Sequence, residues 1–135
     1  MVKVYYGRKG MGKTKHMLDS ANGLVKESKG NVIYIDDSNE LAIKLDHKIR
    51  FVNILEYPVK GADAFLGFIC GVASQNYDIE TIFIDGLTYI VEQSAEELSK
   101  FFAGVDKLSK EHNVDFYMSI NGDENNPPEF ITQYI

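Results

Sequence analysis

A glycine-rich segment between the first predicted strand and the first predicted helix constrains the fold of this chain more than any other feature. Residues 7–14 read Gly-Arg-Lys-Gly-Met-Gly-Lys-Thr and fit the pattern G-x-x-x-x-G-K-[ST] at every fixed position. The β-branched and aromatic run Val2–Tyr6 precedes the segment directly, and apolar residues at helical spacing follow it from Lys13 to Ser28. The segment therefore joins a strand directly to a helix, as in the units from which α/β folds are built.

The residue types in segment 7–14 indicate a loop that binds phosphate groups. Glycines let backbone N–H groups point inward around a phosphate, where side chains would block its approach. We expect the Lys13 ammonium to reach β- and γ-phosphate oxygens and the Thr14 hydroxyl to be a magnesium ligand. The helix that begins here adds the positive end of its dipole and its free amides.

The remaining predicted strands and helices alternate, and the strands are nearly continuous apolar runs. Such runs are typical of a parallel sheet that is buried on both faces. We therefore predict a three-layer α/β/α fold with right-handed crossovers and a mainly parallel sheet of about five strands. The predicted strands are Val2–Tyr6, Asn31–Ile35, Ile49–Leu55, Thr81–Ile84 and Val114–Ile120. The predicted helices are Lys13–Ser28, Ala62–Ser74 and one that opens at Ser94, with a short helical piece at Asn39–Leu45.

The bulk properties favour a single domain over residues 1–135, because no linker, repeat or low-complexity segment divides the chain. The net charge of −6 argues against broad electrostatic binding to nucleic acid. No apolar stretch approaches the roughly 18 residues needed to span a bilayer, and no signal peptide follows Met1, so we expect a cytoplasmic location. Cys70, the one cysteine, lies in an apolar run and is expected to be a buried core residue.

These motifs resemble those of the P-loop NTPases, and the resemblance covers almost the whole chain in the order of its elements. Segment 7–14 resembles the Walker A motif. Residues 81–85, Thr-Ile-Phe-Ile-Asp, look like the Walker B motif, an apolar strand that ends in aspartate. The resemblance implies that Asp85 holds magnesium through a bound water. The N-K-x-D and Asp-x-x-Gly motifs of GTPases are not present, which favours ATP over GTP.

Within that superfamily the chain looks most like the branch with an additional strand between the phosphate strand and the magnesium strand. This branch includes RecA-like and secretion or pilus-retraction ATPases. The resemblance implies a γ-phosphate sensor at Asn121, and it often places a catalytic glutamate where this chain has Gly86. Three other carboxylates at strand ends, Asp36, Asp37 and Glu56, are therefore candidates for a catalytic base or a ligand in the magnesium shell.

The sequence thus predicts a Mg-ATP-binding protein that hydrolyses ATP slowly and acts with protein partners or as a homo-oligomer. Two alternatives stay open: a small-molecule kinase with Asp36 or Asp37 as the base, and a non-catalytic nucleotide-sensing or assembly module. If the Asp85 strand lies beside the first strand, kinase and GTPase relatives are favoured; if one strand separates them, the additional-strand ATPases are favoured. The candidate site residues are Lys13, Asp37 and Glu56 for catalysis, Thr14 and Asp85 for magnesium, and Gly7, Arg8, Lys9, Gly10, Met11, Gly12, Lys13, Thr14 and Asn121 for the nucleotide.

Overall fold

The computed structural model describes all 135 residues, from Met1 to Ile135. The strands are β1 (Val2–Gly7), β2 (Asn31–Asp36), β3 (Arg50–Asn53), β4 (Ile79–Ile84) and β5 (Asp115–Asn121). The α-helices are α1 (Lys13–Glu27), α2 (Gly61–Gln75), α3 (Leu87–Val91), α4 (Ser99–His112) and α5 (Glu129–Thr132). Short 3-10 turns occur at Ala42–Lys44, Ile54–Glu56 and Ala95–Glu97.

The strands form one sheet in the order β1-β5-β4-β2-β3, and every neighbouring pair is parallel. This arrangement confirms the expected α/β architecture with a parallel sheet of about five strands. Strand β5 lies between β1 and β4, so the strand that precedes the 7–14 loop and the strand that precedes Asp85 are separated by one strand.

The two faces of the sheet are covered by different helices. Helix α1 packs on one face, where Met17 and Ala21 contact a core that includes Tyr34. Helices α2, α3, α4 and α5 contribute to a larger core on the other face, together with Ile33 and Ile35. Successive residues of β2 therefore enter opposite cores, which is why this strand is apolar at nearly every position.

The carboxyl ends of the parallel strands meet at one edge of the sheet, and this edge positions the candidate site. Gly7 at the end of β1 is in register with Asn121 at the end of β5. The last residue of β4, Ile84, is in register with Ile35 of β2. In open parallel sheets this edge is the usual place for ligands, because the loops that leave the strands converge there.

The segment after β4 differs from the prediction of one helix opening at Ser94. The structure has two helices, since α3 ends at Val91 and the backbone of the next residue, Glu92, lies in the left-handed region at φ 56. The Ser94 hydroxyl does donate to the Glu97 side chain, at 3.1 Å, but it caps no backbone amide, and Ser94 stands only at the start of a 3-10 turn. The long amphipathic helix begins later, at Ser99.

Two other expectations are corrected. Strand β3 ends at Asn53 because the Asn53 side chain accepts a hydrogen bond from the Leu55 backbone N–H and starts a 3-10 turn. Cys70 is exposed, since it lies on the side of α2 away from the core residues Phe65 and Ile69. None of the helices combines the length and the apolar character required to cross a bilayer.

We expect Gly23→Ala to raise the free energy of unfolding by about 0.5–1 kcal/mol, because a helix-interior alanine reduces the entropy of the unfolded chain. A Cβ at Gly23 would meet no atom within 4 Å. Gly12→Ala is the matched comparison: its Cβ also has open space, but its backbone lies at φ +82. We expect that substitution to cost about 1–2 kcal/mol. Urea unfolding of both variants measures the contrast, and equal stabilities would contradict the left-handed geometry of Gly12.

Candidate functional site

The 7–14 loop connects β1 to α1 through two glycines in the left-handed region. Gly10 has φ 91 and Gly12 has φ 82, values that residues with a Cβ rarely adopt. Helix α1 begins at Lys13 with no side chain hydrogen-bonded to its first amides. These amides are therefore available to an anion at the mouth of the helix.

Lys13 folds back over the loop to which it belongs. Its Nζ donates to the carbonyl oxygens of Gly7, at 3.0 Å, and Arg8, at 2.6 Å. Burial lowers the pKa of Lys13, while the negative charges of Asp85 and Glu124 act in the opposite direction. The ammonium is thus held against the carbonyl oxygens of the loop, within the electrostatic influence of Asp85.

Asp85 is buried where the ends of β2, β4 and β5 meet the 7–14 loop. Its Oδ1 accepts hydrogen bonds from Ser119 Oγ at 2.6 Å and from Thr14 Oγ1 at 3.3 Å. Its Oδ2 accepts one from Tyr34 Oη at 2.7 Å. Burial, followed by the charge of Asp85, raises the pKa of Tyr34, so this phenol keeps its proton and acts as a donor. The buried carboxylate is therefore satisfied by hydroxyl groups.

The oxygens of Thr14 and Asp85 fit the requirements of a magnesium ion bound together with a phosphate. Magnesium usually takes one or two protein oxygens and completes its octahedron with water and phosphate oxygens. The Thr14 and Asp85 oxygens lie 3.3 Å apart beside the free amides of α1. No cluster of three or more His, Cys, Asp or Glu side chains arranged for a metal exists in the structure. An ion at this point would depend on water and phosphate for its other ligands.

A cavity of about 600 Å³ opens at this edge of the sheet. The 7–14 loop contributes positive and neutral groups to its lining, and the end of β2 with the segment that follows it contributes an acidic wall. The lining residues are Lys9, Gly10, Gly12, Lys13 and Thr14 from the loop, Asp85, Gly86, Tyr89, Ser119 and Asn121 from the centre, and Asp36, Asp37, Ser38, Glu40 and Leu41 from the acidic wall.

Asp36 and Asp37 bring two further carboxyl groups to the cavity. Asp36 is buried at the end of β2, and its pKa is raised to about 7. Burial is the main cause, and the negative charges of Asp85 and Asp37 add to it, although a hydrogen bond from the Asp37 backbone opposes the shift. Asp37 is half-buried beside it. Near pH 7, Asp36 is therefore partly protonated.

The structure brings most of the predicted site residues together, but four do not line the cavity. Gly7 accepts hydrogen bonds at its carbonyl from Lys13 and from the Gly122 N–H. The Arg8 side chain points to Glu124, with Nε and Oε1 3.0 Å apart. Met11 folds back so that its sulfur accepts from the Arg8 N–H. Glu56 is exposed in the 3-10 turn after β3, the edge strand farthest from β1.

Three side chains that bond to predicted site residues were not identified from the sequence as site residues. Tyr34 is one aromatic residue within the run of β2, and Ser119 is one hydroxyl within the apolar run of β5. Glu124 follows that strand and pairs with the loop residue Arg8. Ser119 could have been noticed because it is a polar residue inside an apolar strand. The contact between Ser119 and Asp85, however, depends on the strand order, which the sequence does not state.

The chain was compared with known proteins. A scan against protein-family models finds no match, and no curated protein sequence matches the chain. The resemblance to the P-loop NTPases therefore rests on the motifs in the sequence.

The raised pKa of Asp36 predicts how stability changes with pH. The unfolded chain loses this proton near pH 3.8, whereas the folded chain keeps it until about pH 7. The stabilisation that comes from the protonated group is complete at low pH and is lost as the pH rises toward that value. We expect Asp36→Asn to remove this loss, so that the variant gains stability relative to the wild type as the pH rises from about 4 to about 7.

Urea unfolding across that range measures the difference, with Asp78→Asn at an exposed turn as the control. A stability difference between Asp36→Asn and the wild type that stays constant with pH would contradict the buried, protonated state of Asp36.

Proposed function

We propose that this chain is a P-loop protein that binds Mg-ATP, hydrolyses it slowly, and acts with protein partners or as a homo-oligomer. One observation carries the proposal: the Thr14 hydroxyl and the Asp85 carboxylate approach to 3.3 Å at the mouth of a glycine loop and a helix N-terminus. The two residues are far apart in the sequence and come from the two motifs that resemble Walker A and Walker B. Lys13 lies beside them with its ammonium against the loop.

The order of the strands supports the additional-strand branch over kinase and GTPase relatives. Strand β5 lies between β1 and β4, which is the separated arrangement. Asn121, at the carboxyl end of β5, lines the cavity between the 7–14 loop and Asp85. An amide at this position has the reach to contact the terminal phosphate of a nucleotide held by the loop, in agreement with a role as γ-phosphate sensor.

The carboxyl groups of the cavity favour slow hydrolysis. Gly86 follows Asp85 directly and offers no side chain as a base. Asp36 has a pKa raised to about 7, so only part of the population is ionised near pH 7 and able to accept a proton. Asp37 and Glu40 also line the cavity, and Asp37, which follows β2 directly, is the candidate to orient or deprotonate a water molecule. Positioning and charge stabilisation supply most of the rate in phosphoryl transfer. A site whose base is the short side chain of an aspartate is therefore compatible with slow turnover.

We expect Lys13→Ala to lower the affinity for Mg-ATP by about tenfold or more, because a charge-assisted hydrogen bond contributes about 1.5–3 kcal/mol. Isothermal titration calorimetry on the folded variant measures the change. Lys15→Ala is the control, since that lysine is on the same helix but is exposed and pairs with Asp19. Equal affinities in Lys13→Ala and the wild type, or no uptake of Mg-ATP by the wild type, would refute the proposal.

The placement of the carboxylates predicts which one affects turnover. We expect Asp37→Asn to reduce ATP hydrolysis by about a hundredfold, in the range observed for loss of a general base. We expect Glu56→Gln to leave the rate unchanged, because Glu56 is exposed and does not line the cavity. Release of ADP measured under saturating Mg-ATP compares the two variants. Loss of turnover in Glu56→Gln alone would show that the base comes from elsewhere.

The acidic wall of the cavity favours a small-molecule kinase as the second candidate. Asp36, Asp37 and Glu40 share with the loop the lining of a cavity of about 600 Å³, which is large enough for a second substrate beside the phosphates. In that reaction Asp37 would accept the proton of an acceptor hydroxyl. A screen of hydroxyl-bearing metabolites distinguishes the candidates, because a kinase releases ADP only when its acceptor is added. Tight binding of Mg-ATP with no turnover in any condition would instead support a nucleotide-sensing module.

A further inference from the structure

We propose that Tyr34 is a positioning residue for Asp85, and that its phenol turns one oxygen of that carboxylate toward Thr14 and the magnesium position. The inference rests on the proposed Mg-ATP function and adds a residue that neither motif contains. Tyr34 does not line the cavity, so it does not touch the nucleotide itself. Its effect must pass through Asp85.

The ring of Tyr34 is held in one orientation by its neighbours in the sheet. Tyr34 is fully buried and is in register with Phe51 of β3 and Phe83 of β4. Its ring stacks on Phe83 at a centroid distance of 5.7 Å and on Phe51 at 6.4 Å, with interplanar angles of 12° and 20°. Met17 of helix α1 packs in the same core. A ring packed in this way has little freedom to move its hydroxyl.

The Tyr34 hydroxyl, held in place by this packing, donates a hydrogen bond to one of the two carboxylate oxygens of Asp85. Tyr34 donates to Oδ2 at 2.7 Å from the β2 side, and Ser119 donates to Oδ1 at 2.6 Å from the β5 side. An aspartate carboxylate turns easily about its last torsion, so two bonds from opposite strands are needed to hold it. With Oδ2 engaged by Tyr34, Oδ1 is the oxygen that faces Thr14, at 3.3 Å.

Loss of the Tyr34 hydroxyl has a definite consequence for the carboxylate. In Tyr34→Phe, Oδ2 would be buried without a donor, and the carboxylate would rotate to recover one. Rotation moves Oδ1 away from Thr14 and from the magnesium position. Groups that orient metal ligands in this way typically change metal affinity by about 10–100-fold when they are removed.

The chain offers a matched control in Tyr117. This tyrosine is on β5 and stacks on the other face of Phe83, at 4.8 Å and 11°. It is half-buried in the same aromatic layer, but its phenol makes no hydrogen bond to another side chain or to the backbone. Tyr117→Phe therefore removes a hydroxyl from the same layer without removing a contact with Asp85.

The test measures ATP binding by calorimetry over a series of Mg²⁺ concentrations and in EDTA. We expect the half-saturating Mg²⁺ concentration to rise about tenfold or more in Tyr34→Phe. We expect the half-saturating Mg²⁺ concentration to stay unchanged in Tyr117→Phe. In EDTA, we expect the affinity for ATP to be the same for both variants and the wild type. An unchanged Mg²⁺ requirement in folded Tyr34→Phe would overturn the inference, and so would an affinity loss of equal size in EDTA.

A measurement on the wild-type protein covers the case in which Tyr34→Phe does not fold. Protein labelled with ¹³C at the tyrosine Cζ atoms is observed by NMR as Mg²⁺ is added to the ATP complex in EDTA. The Tyr34 resonance, assigned through ring contacts with Phe51 and Phe83, is expected to shift, with Tyr117 as the reference. No shift at Tyr34 would overturn the inference while leaving the proposed function intact. Failure of the wild type to bind ATP at all would refute both.

Discussion

The burial of Asp85 is the constraint on which the rest of the site depends. A carboxylate removed from water needs donors for both oxygens, and the fold supplies hydroxyls from three different elements, Thr14, Tyr34 and Ser119. These donors lie within reach only because β2, β4 and β5 are neighbours in the sheet and α1 begins beside them. The arrangement that satisfies Asp85 also sets the position of Thr14 at the mouth of the glycine loop.

Carboxyl groups outnumber the cationic groups that line the cavity. Asp36, Asp37, Glu40 and Asp85 line it together with Lys9 and Lys13, and the chain as a whole carries a net charge of −6. Burial, with the charges of Asp85 and Asp37 adding to it, raises the pKa of Asp36 to about 7, and the protonated fraction removes part of the repulsion. In the proposed complex, the free amides of α1, Lys13 and the divalent ion that accompanies ATP offset the rest. Arg8 does not contribute directly, because its side chain pairs with Glu124 outside the cavity.

Most of the fold and the glycine-rich loop of the candidate site are predictable from local patterns. Continuous apolar runs identify the strands, helical spacing identifies α1, α2 and α4, and a contiguous pattern identifies the 7–14 loop. The failures are local features that periodicity does not report. The short helix α3, which stops before the left-handed residue Glu92, was not predicted, and the side chain of Asn53 ends β3. The exposure of Cys70 depends on which side of an apolar helix faces the sheet.

The sequence by itself determined the loop, its strand and helix, and the aspartate at the end of the apolar run 81–84, because each is encoded by residues adjacent in the chain. Only the tertiary structure decided which carboxylates share the cavity. Asp36 and Glu56 both follow strand-like runs, yet β2 lies beside β4 whereas β3 lies at the sheet edge. The partners of Asp85 were decided in the same way. Strand order arises from the packing of helices on the two faces, and no single segment of the chain carries that information.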